Sequence, residues 1–292
     1  MSFWQALRLA LWTNGALTGA AIEEDIFASP PFLRTADLFV GRRVKILGRS
    51  LTVPRGRGMA AWMNALRKDG ARRVRLHFVY PTKSALPRYH IGAFEGGGPI
   101  PVIIAVRTKS TSWWGLQSRP IKALAPPKPP LQRIEKPDDI RAVLAAQNER
   151  RKNLQGISRP MELHITRLVD GVIDEPPIDL ESAHQALRAA LIEAITVTTD
   201  DKRAELWRER FQFAIGRLNG KNEIPGSQPI PWLSDRARML VDAASHAWCF
   251  GGMGSFMDRA FVDDEEKKRY VTLCDHLANA IDRSWIAAVD SL

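Results

Sequence analysis

Cysteine is scarce in this chain of 292 residues, which contains only Cys249 and Cys274. Neither belongs to a CxxC or similar pattern, so the sequence carries neither a disulfide framework nor a cysteine-based metal motif. Both fall on the apolar faces of predicted helices, where a reduced and buried thiol is the usual occupant. This usage is typical of a cytoplasmic protein.

Long apolar runs are also missing, since no stretch reaches the roughly 18 apolar residues needed to cross a bilayer. No transmembrane segment is therefore predicted. The N-terminal sequence MSFWQALRLALWTNGALTGAA lacks the basic start of a signal peptide, and Arg8 interrupts its apolar residues. It predicts a short amphipathic helix from Phe3 to Trp12, with attachment to a membrane surface as an alternative.

Catalytic motifs are a third absence, because the sequence has no GxSxG, HExxH, kinase or dinucleotide-binding pattern. His184, His246 and His276 lie on three predicted helices without the spacing of paired metal ligands. His184 and His276 sit on or beside apolar stripes, which favours hydrogen-bonded core histidines. We therefore predict no catalytic residue, no metal site and no cofactor. An enzyme with an unrecognised site is kept as an alternative.

The charges that are present divide unevenly along the chain. Residues 1–160 contain 27 lysines and arginines against 10 acidic residues, whereas residues 161–292 contain 15 against 22. A net charge of +10 thus combines a basic half with an acidic half. A shift of this size indicates two units with different surroundings. The basic half could face an anionic partner, or the two halves could face each other.

The basic half has the pattern of a mixed α/β domain over residues 1–124. Short β-type runs at 44–47 and 51–53 flank a turn, and the spacing of apolar residues predicts a helix from Gly58 to Lys68. Residues 72–80 alternate as a strand, and Ile100–Val106 is apolar on both faces, as a central strand would be.

A proline-rich connector is predicted next. Five prolines fall within residues 124–137, which favours an extended backbone. Residues 125–178 are interpreted as a linker that carries a charged helix over 138–153 and an edge strand over 161–168. A loop packed on one domain is the alternative to a semi-rigid connector.

Residues 179–292 predict a helical domain. Helices over 179–195 and 201–218 each carry one apolar stripe, a third can be capped by Ser234, and a fourth begins with the capping-box pair Asp263 and Glu266. Such helices can bury their stripes against one another. The fold class expected for the whole chain is therefore α+β.

A glycine-rich string, CFGGMGSFMD, follows the third of these helices. We interpret it as a structural turn rather than a phosphate-binding loop, because it follows a helix and lacks a Gly-Lys-Ser/Thr ending. The string resembles the GGMGS turn of a largely uncharacterised family of small bacterial helical domains, with Met257 where that family has Asn. The resemblance covers roughly residues 180–290 and implies an accessory or immunity-type protein encoded near toxin genes. The residues assigned to the structural turn are Gly251, Gly252, Gly254, Ser255 and Asp258.

Basic and aromatic residues of the first half are the candidate partner-binding set, since arginine and tryptophan are enriched in interface hot spots. We expect a non-enzymatic protein that binds and neutralises or escorts a bacterial toxin or secreted effector. Nucleic-acid binding by the same residues is the alternative. The candidate set is Arg42, Arg43, Lys45, Arg49, Arg72, Arg73, Arg75, Trp113 and Trp114.

Overall fold

A computed structural model describes twelve parts of the chain, and the statements below concern these parts only. They are residues 3–20, 35–46, 49–79, 100–108, 110–120, 161–171, 176–199, 201, 204–221, 230–250, 256 and 263–292. The proline-rich window at 124–137 and the helix predicted over 138–153 lie outside them.

Six helices and six strands make up the described residues, which confirms the α+β class. The helices are α1 (Phe3–Leu17), α2 (Gly58–Lys68), α3 (Leu180–Val197), α4 (Glu205–Leu218), α5 (Asp235–Ala247) and α6 (Asp264–Asp290). The strands are β1 (Thr35–Ile46), β2 (Arg49–Arg57), β3 (Arg73–Val79), β4 (Ile100–Val106), β5 (Thr111–Pro120) and β6 (Met161–Gly171). Among these helices, none is long and apolar enough to cross a membrane.

The strands form one mixed sheet in the order β2-β1-β6-β5-β4-β3. Strand β1 runs parallel to β6, and every other pairing is antiparallel. The prediction of an edge strand over 161–168 is wrong, because β6 pairs on both sides, with β1 and with β5. Alternating residues occur in edge and central strands alike whenever the two faces of a sheet differ, so the pattern could not decide this point.

Helix α1 lies in the interior of the protein. Leu7, Leu9 and Leu11 are fully buried, and so are Thr13 and Asn14 in its last turns. One buried core includes residues of α1, of the sheet and of the C-terminal helices. The apolar side chains between Ala6 and Trp12 are therefore covered by protein and are not available for the alternative of membrane attachment.

The C-terminal helices have the caps and stripes that their sequence predicts. The side chains of Asp179, Ser234 and Asp263 accept hydrogen bonds from backbone N–H groups three residues later. In α3, Leu187 and Leu191 are fully buried on the stripe that packs against α6. Each cap satisfies a donor that the start of a helix would otherwise leave unpaired.

Strand β3 is an edge of the described sheet, and Asn14 covers part of that edge. The side-chain Oδ1 of Asn14 accepts from the N–H of Val74 at 2.6 Å, and its Nδ2 donates to the Val74 carbonyl at 2.9 Å. The side-chain amide of Asn14 thus makes the two hydrogen bonds that the peptide group of a further strand would make with β3. The same Nδ2 donates to the Val289 carbonyl in α6 at 3.1 Å. Asn14 therefore connects α1, the sheet edge and the last helix.

A buried ion pair involves the next residue of β3, Arg75. The guanidinium of Arg75 donates to both carboxylate oxygens of Asp290, at 2.8 and 2.9 Å. Asp290 also accepts from the N–H of Ile178 at 3.0 Å, and Arg75 donates to the carbonyl of Pro176 at 3.1 Å. The basic N-terminal half and the acidic C-terminal half therefore pack together through an ion pair between them.

Replacing Arg75 with Met should lower the free energy of unfolding by about 3–5 kcal/mol, because the carboxylate of Asp290 stays buried without its counter-charge. The double variant Arg75→Met, Asp290→Asn removes that charge and keeps an oxygen that can accept from Ile178. It should recover part of the loss. Urea unfolding at pH 7 measures both values, and a double variant no more stable than the single one would contradict this role for the pair.

Candidate binding cleft

A cleft of about 520 Å³ lies between α2 and one end of the sheet. Helix α2 forms one wall, and strands β1, β2, β5 and β6 supply the rest. Its volume falls within the roughly 300–1,000 Å³ of typical ligand sites. The lining residues are Val40, Gly41, Arg55, Ala61, Asn64, Ala65, Lys68, Asp69, Trp114 and Arg167.

Helix α2 has one face in the core and another on the cleft. Trp62, Met63 and Leu66 are buried in the core. The cleft face repeats at three and four residues, as neighbours on one side of a helix do, and it carries two alanines. Because alanine side chains are small, this face leaves open space between the helix and the sheet. Its residues are Ala61, Asn64, Ala65 and Lys68.

Two glycines hold α2 close to the strand that precedes it. Strand β2 leads directly into α2 through Gly58, whose φ of 77° lies in the region that favours glycine. A Cβ on Gly56 would lie 2.6 Å from the Cβ of Ala61, so a larger residue there would push the helix away. The start of α2 is thus held close to the end of β2.

Asp69 follows α2 and is the carboxylate of the cleft. Its Oδ1 lies 2.7 Å from Nη1 of Arg167, and its Oδ2 accepts from the hydroxyl of Ser112 at 2.6 Å. Nη1 of Arg107 lies 3.9 Å from the same Oδ1. Both oxygens of Asp69 are therefore engaged by the protein's own donors.

Asp170 extends this group into a network of two carboxylates and two guanidinium groups. Its Oδ1 accepts from Arg167 at 2.6 Å and from Arg107 at 3.0 Å. The hydrogen bond from Arg167 is the main cause that lowers the pKa of Asp170, with the charges of both arginines adding to it. Ionised Asp170 therefore stabilises the fold at pH values above the ordinary aspartate pKa. This contribution is lost as the pH falls through the lowered pKa of Asp170.

Trp114 forms the buried floor of the cleft. Its Nε1 donates to the hydroxyl of Ser112 at 3.0 Å, and its ring meets that of Trp62 edge-on at 5.0 Å between centroids. Nε1 of Trp62 donates in turn to Thr13 in α1 at 2.9 Å. Trp114 is therefore connected to α1 through Trp62, by ring packing and by the hydrogen bond to Thr13.

The charges of the cleft divide into a neutral network and two exposed cations. Arg107 and Arg167 balance Asp69 and Asp170 in formal charge. Arg55 in β2 and Lys68 in α2 both line the cleft and are exposed. Among the described residues that line the cleft, the net positive charge thus comes from these two side chains.

The predicted partner-binding residues are only partly brought together here. Arg42, Arg43, Lys45 and Arg49 lie in β1 and β2, and their side chains are outside the described parts. The backbone of Arg42 is in register with Arg167, beside the cleft residue Gly41.

Two members of the predicted set are buried, so their assignment to a partner-facing surface needs correction. Arg75 is 7% exposed and bound to Asp290, and Trp114 is 4% exposed at the floor of the cleft. Arg72 is exposed, whereas Arg73 and Trp113 are half-buried. The side chain of Trp113 meets His77 edge-on at 5.8 Å between ring centroids.

The glycine turn of the sequence falls mostly outside the described residues, including Gly251, Gly252, Gly254, Ser255 and Asp258. Phe256 is described and is buried among aromatic rings of α4 and α6. Its N–H donates to the carbonyl of Cys249 at 3.2 Å, and its carbonyl accepts from the hydroxyl of Tyr270.

The histidines of the helical part occupy separate places. A ring nitrogen of His184 lies 3.1 Å from the carbonyl of Leu218, within hydrogen-bond distance, as expected of a half-buried histidine. His276 is exposed and lies 3.2 Å from Glu193, so the expectation of a core histidine is wrong there. Burial lowers the pKa of His246, with the charge of Arg210 adding to it. Among the described residues, no group of histidines, cysteines or carboxylates could hold a metal ion.

Both cysteines are buried and unpaired, as the sequence predicts. Burial raises the pKa of the Cys249 thiol well above its ordinary value. Burial and the neighbouring charge of Asp275 raise the pKa of Cys274 to about 12. Because the thiolate is the reactive form, neither is an activated nucleophile.

No family model matches the chain, and comparisons with curated proteins and with solved structures also find no match. The geometry of the cleft therefore carries the functional argument.

Replacing Asp69 with Asn should lower the free energy of unfolding by about 1–3 kcal/mol, because the charge-assisted hydrogen bonds of the network weaken. Asp235→Asn is the matched control, since Asp235 forms an exposed pair with Arg238 and should cost less than about 1 kcal/mol. Urea unfolding compares the two variants. Equal losses would mean that the network does not brace the cleft.

Proposed function

We propose that this chain is a non-enzymatic protein-binding protein, an immunity or accessory factor that binds and neutralises or escorts a bacterial toxin or secreted effector. The observation that carries the proposal is the cleft beside α2, where exposed Arg55 and Lys68 flank an apolar floor. Arginine beside buried aromatic and apolar surface is a common composition of interface hot spots. The cleft belongs to the basic half, as the sequence hypothesis requires.

The chemistry of the cleft favours binding over catalysis. A general base needs a lone pair that can reach a substrate proton, and each oxygen of Asp69 already has one lone pair engaged, by Arg167 or by Ser112. Cys249 and Cys274 are buried in the helical part with raised pKa values, and they do not line the cleft.

The likeness of the glycine turn to a bacterial family of accessory and immunity type is a second, independent support. It concerns the C-terminal helices, whereas the cleft concerns the sheet and α2. Since these two parts pack together at Arg75 and Asp290, a partner held at the cleft would meet a single packed body.

Co-expression with the product of the adjacent gene tests the proposal. We expect the two proteins to co-purify and to remain together at physiological salt, with a 1:1 or other fixed ratio in size-exclusion chromatography. The charge reversal Arg55→Glu should weaken the complex by about tenfold or more. If no complex forms at physiological salt, the proposed function is wrong.

Nucleic-acid binding is the second candidate, because several exposed cations lie close together in sequence around α2. Against it, Arg75, Arg107 and Arg167 pair with carboxylates inside the protein, which reduces the number available to phosphates. The exposed cations are Arg55, Arg57, Arg67, Lys68 and Arg72.

A salt titration of binding to DNA and RNA separates the two candidates. A nucleic-acid-binding protein releases counterions, so the logarithm of its affinity falls linearly with the logarithm of salt, with a slope near the number of phosphates contacted. We expect weak binding to either nucleic acid at physiological salt. Tight binding with a slope of about −5 or steeper would favour the second candidate.

A further inference from the structure

We infer that the cleft beside α2 is a receptor for a carboxylate side chain carried on a short acidic segment of a protein partner. This inference deepens the proposed function and rests on it for the partner. It assigns the chemistry that the partner must present, and it gives separate roles to the two exposed cations and to the apolar floor.

The position of Arg55 is the first step. In the pairing of β1 with β2, Val40 is opposite Gly56 and Gly41 is opposite Pro54, so Arg55 is the extra residue of a β-bulge. A bulge changes the direction of a side chain and interrupts the regular pairing locally. Arg55 lines the cleft and is exposed.

Lys68 supplies the second cation, from helix α2. It lies in the last turn of α2, where a positive charge is favoured by the helix dipole. The two cations thus approach from the strand side and from the helix side. Since α2 separates them by about 15 Å along its axis, successive carboxylates of one acidic segment can pair with each cation in turn. Among the described residues, neither cation forms an ion pair.

The floor explains why the ligand should be more than an isolated ion. Ala61 and Ala65 are half-buried and give the cleft apolar surface, whereas Val40 and Trp114 are only 1% and 4% exposed and close the cleft beneath it. An acidic side chain carried on a peptide can place its carboxylate at the mouth and its methylene groups or a small neighbour on this floor. Removing that apolar area from water adds affinity that a bare ion lacks.

The neutral network limits how much negative charge the cleft can accept. Asp69 and Asp170 already balance Arg107 and Arg167, so the described lining residues offer a ligand about two positive charges, at Arg55 and Lys68. This suits one or two carboxylates. A nucleic-acid backbone, with a phosphate at every nucleotide, needs a longer track of unpaired cations than the two that line the described part of the cleft.

The experiment measures binding of a blocked nine-residue peptide of alternating Glu and Ala by fluorescence anisotropy at low salt. The same peptide with Gln in place of Glu is the chemical control. We expect the Glu peptide to bind with saturation and the Gln peptide to bind at least about tenfold more weakly, because only the first carries charge to pair with Arg55 and Lys68.

Two pairs of variants localise the binding. Lys68→Glu should weaken the binding of the Glu peptide by about tenfold or more. Arg67 is an exposed neighbour outside the cleft, so Arg67→Glu should change the affinity by less than about threefold. Ala65→Leu should block the floor, whereas Ala60→Leu, exposed on the same helix, should not. Circular dichroism and urea unfolding confirm that each variant is folded before its affinity is compared.

The outcomes separate the inference from the proposed function. Equal effects of the two charge variants, or no saturable binding of the Glu peptide, would overturn the inference while leaving a complex with the adjacent gene product intact. Competition by inorganic phosphate or single-stranded DNA at lower concentration than the peptide would also overturn it, in favour of phosphate chemistry. Peptide binding without any protein complex would reject the proposed function and keep the carboxylate site.

Discussion

The backbone groups of a sheet edge that lies inside the protein must find hydrogen-bond partners, and at β3 this requirement ties the sheet to the first helix. Asn14 pairs with both backbone groups of Val74, and Arg75 binds Asp290 at the end of α6. Both contacts are buried, so water cannot replace them, and loss of either partner would leave an unpaired polar group inside the fold. The first helix, the sheet and the last helix are thereby held in one arrangement.

The uneven distribution of charge along the chain has two consequences in the structure. Part of the basic excess is used internally, since Arg75 pairs with an aspartate of the acidic half and Arg107 and Arg167 pair with aspartates near α2. Another part is exposed, at Arg55 and Lys68 on the cleft. The internal pairs brace the fold, and the exposed cations define the surface that a partner can use.

Local patterns in the sequence predict the elements but not their neighbours. The helix Gly58–Lys68 and the strand Ile100–Val106 have the predicted bounds, because periodicity and stop signals act over a few residues. The central place of β6 and the meeting of Asp69 with Arg167 depend on pairing between distant segments, which no local pattern contains. Arg75 is predicted to bind a partner, but its side chain is buried because it pairs with Asp290, which is 215 residues away in the sequence.

The central claim is that partners bind at the cleft between α2 and the sheet. Hydrogen–deuterium exchange of the protein, alone and in complex with the adjacent gene product, tests it most directly. The account predicts slower exchange on binding across residues 55–69, at the end of β2 and along α2, with little change in α3 and α4. Protection confined to the C-terminal helices, with residues 55–69 unchanged, would contradict the account.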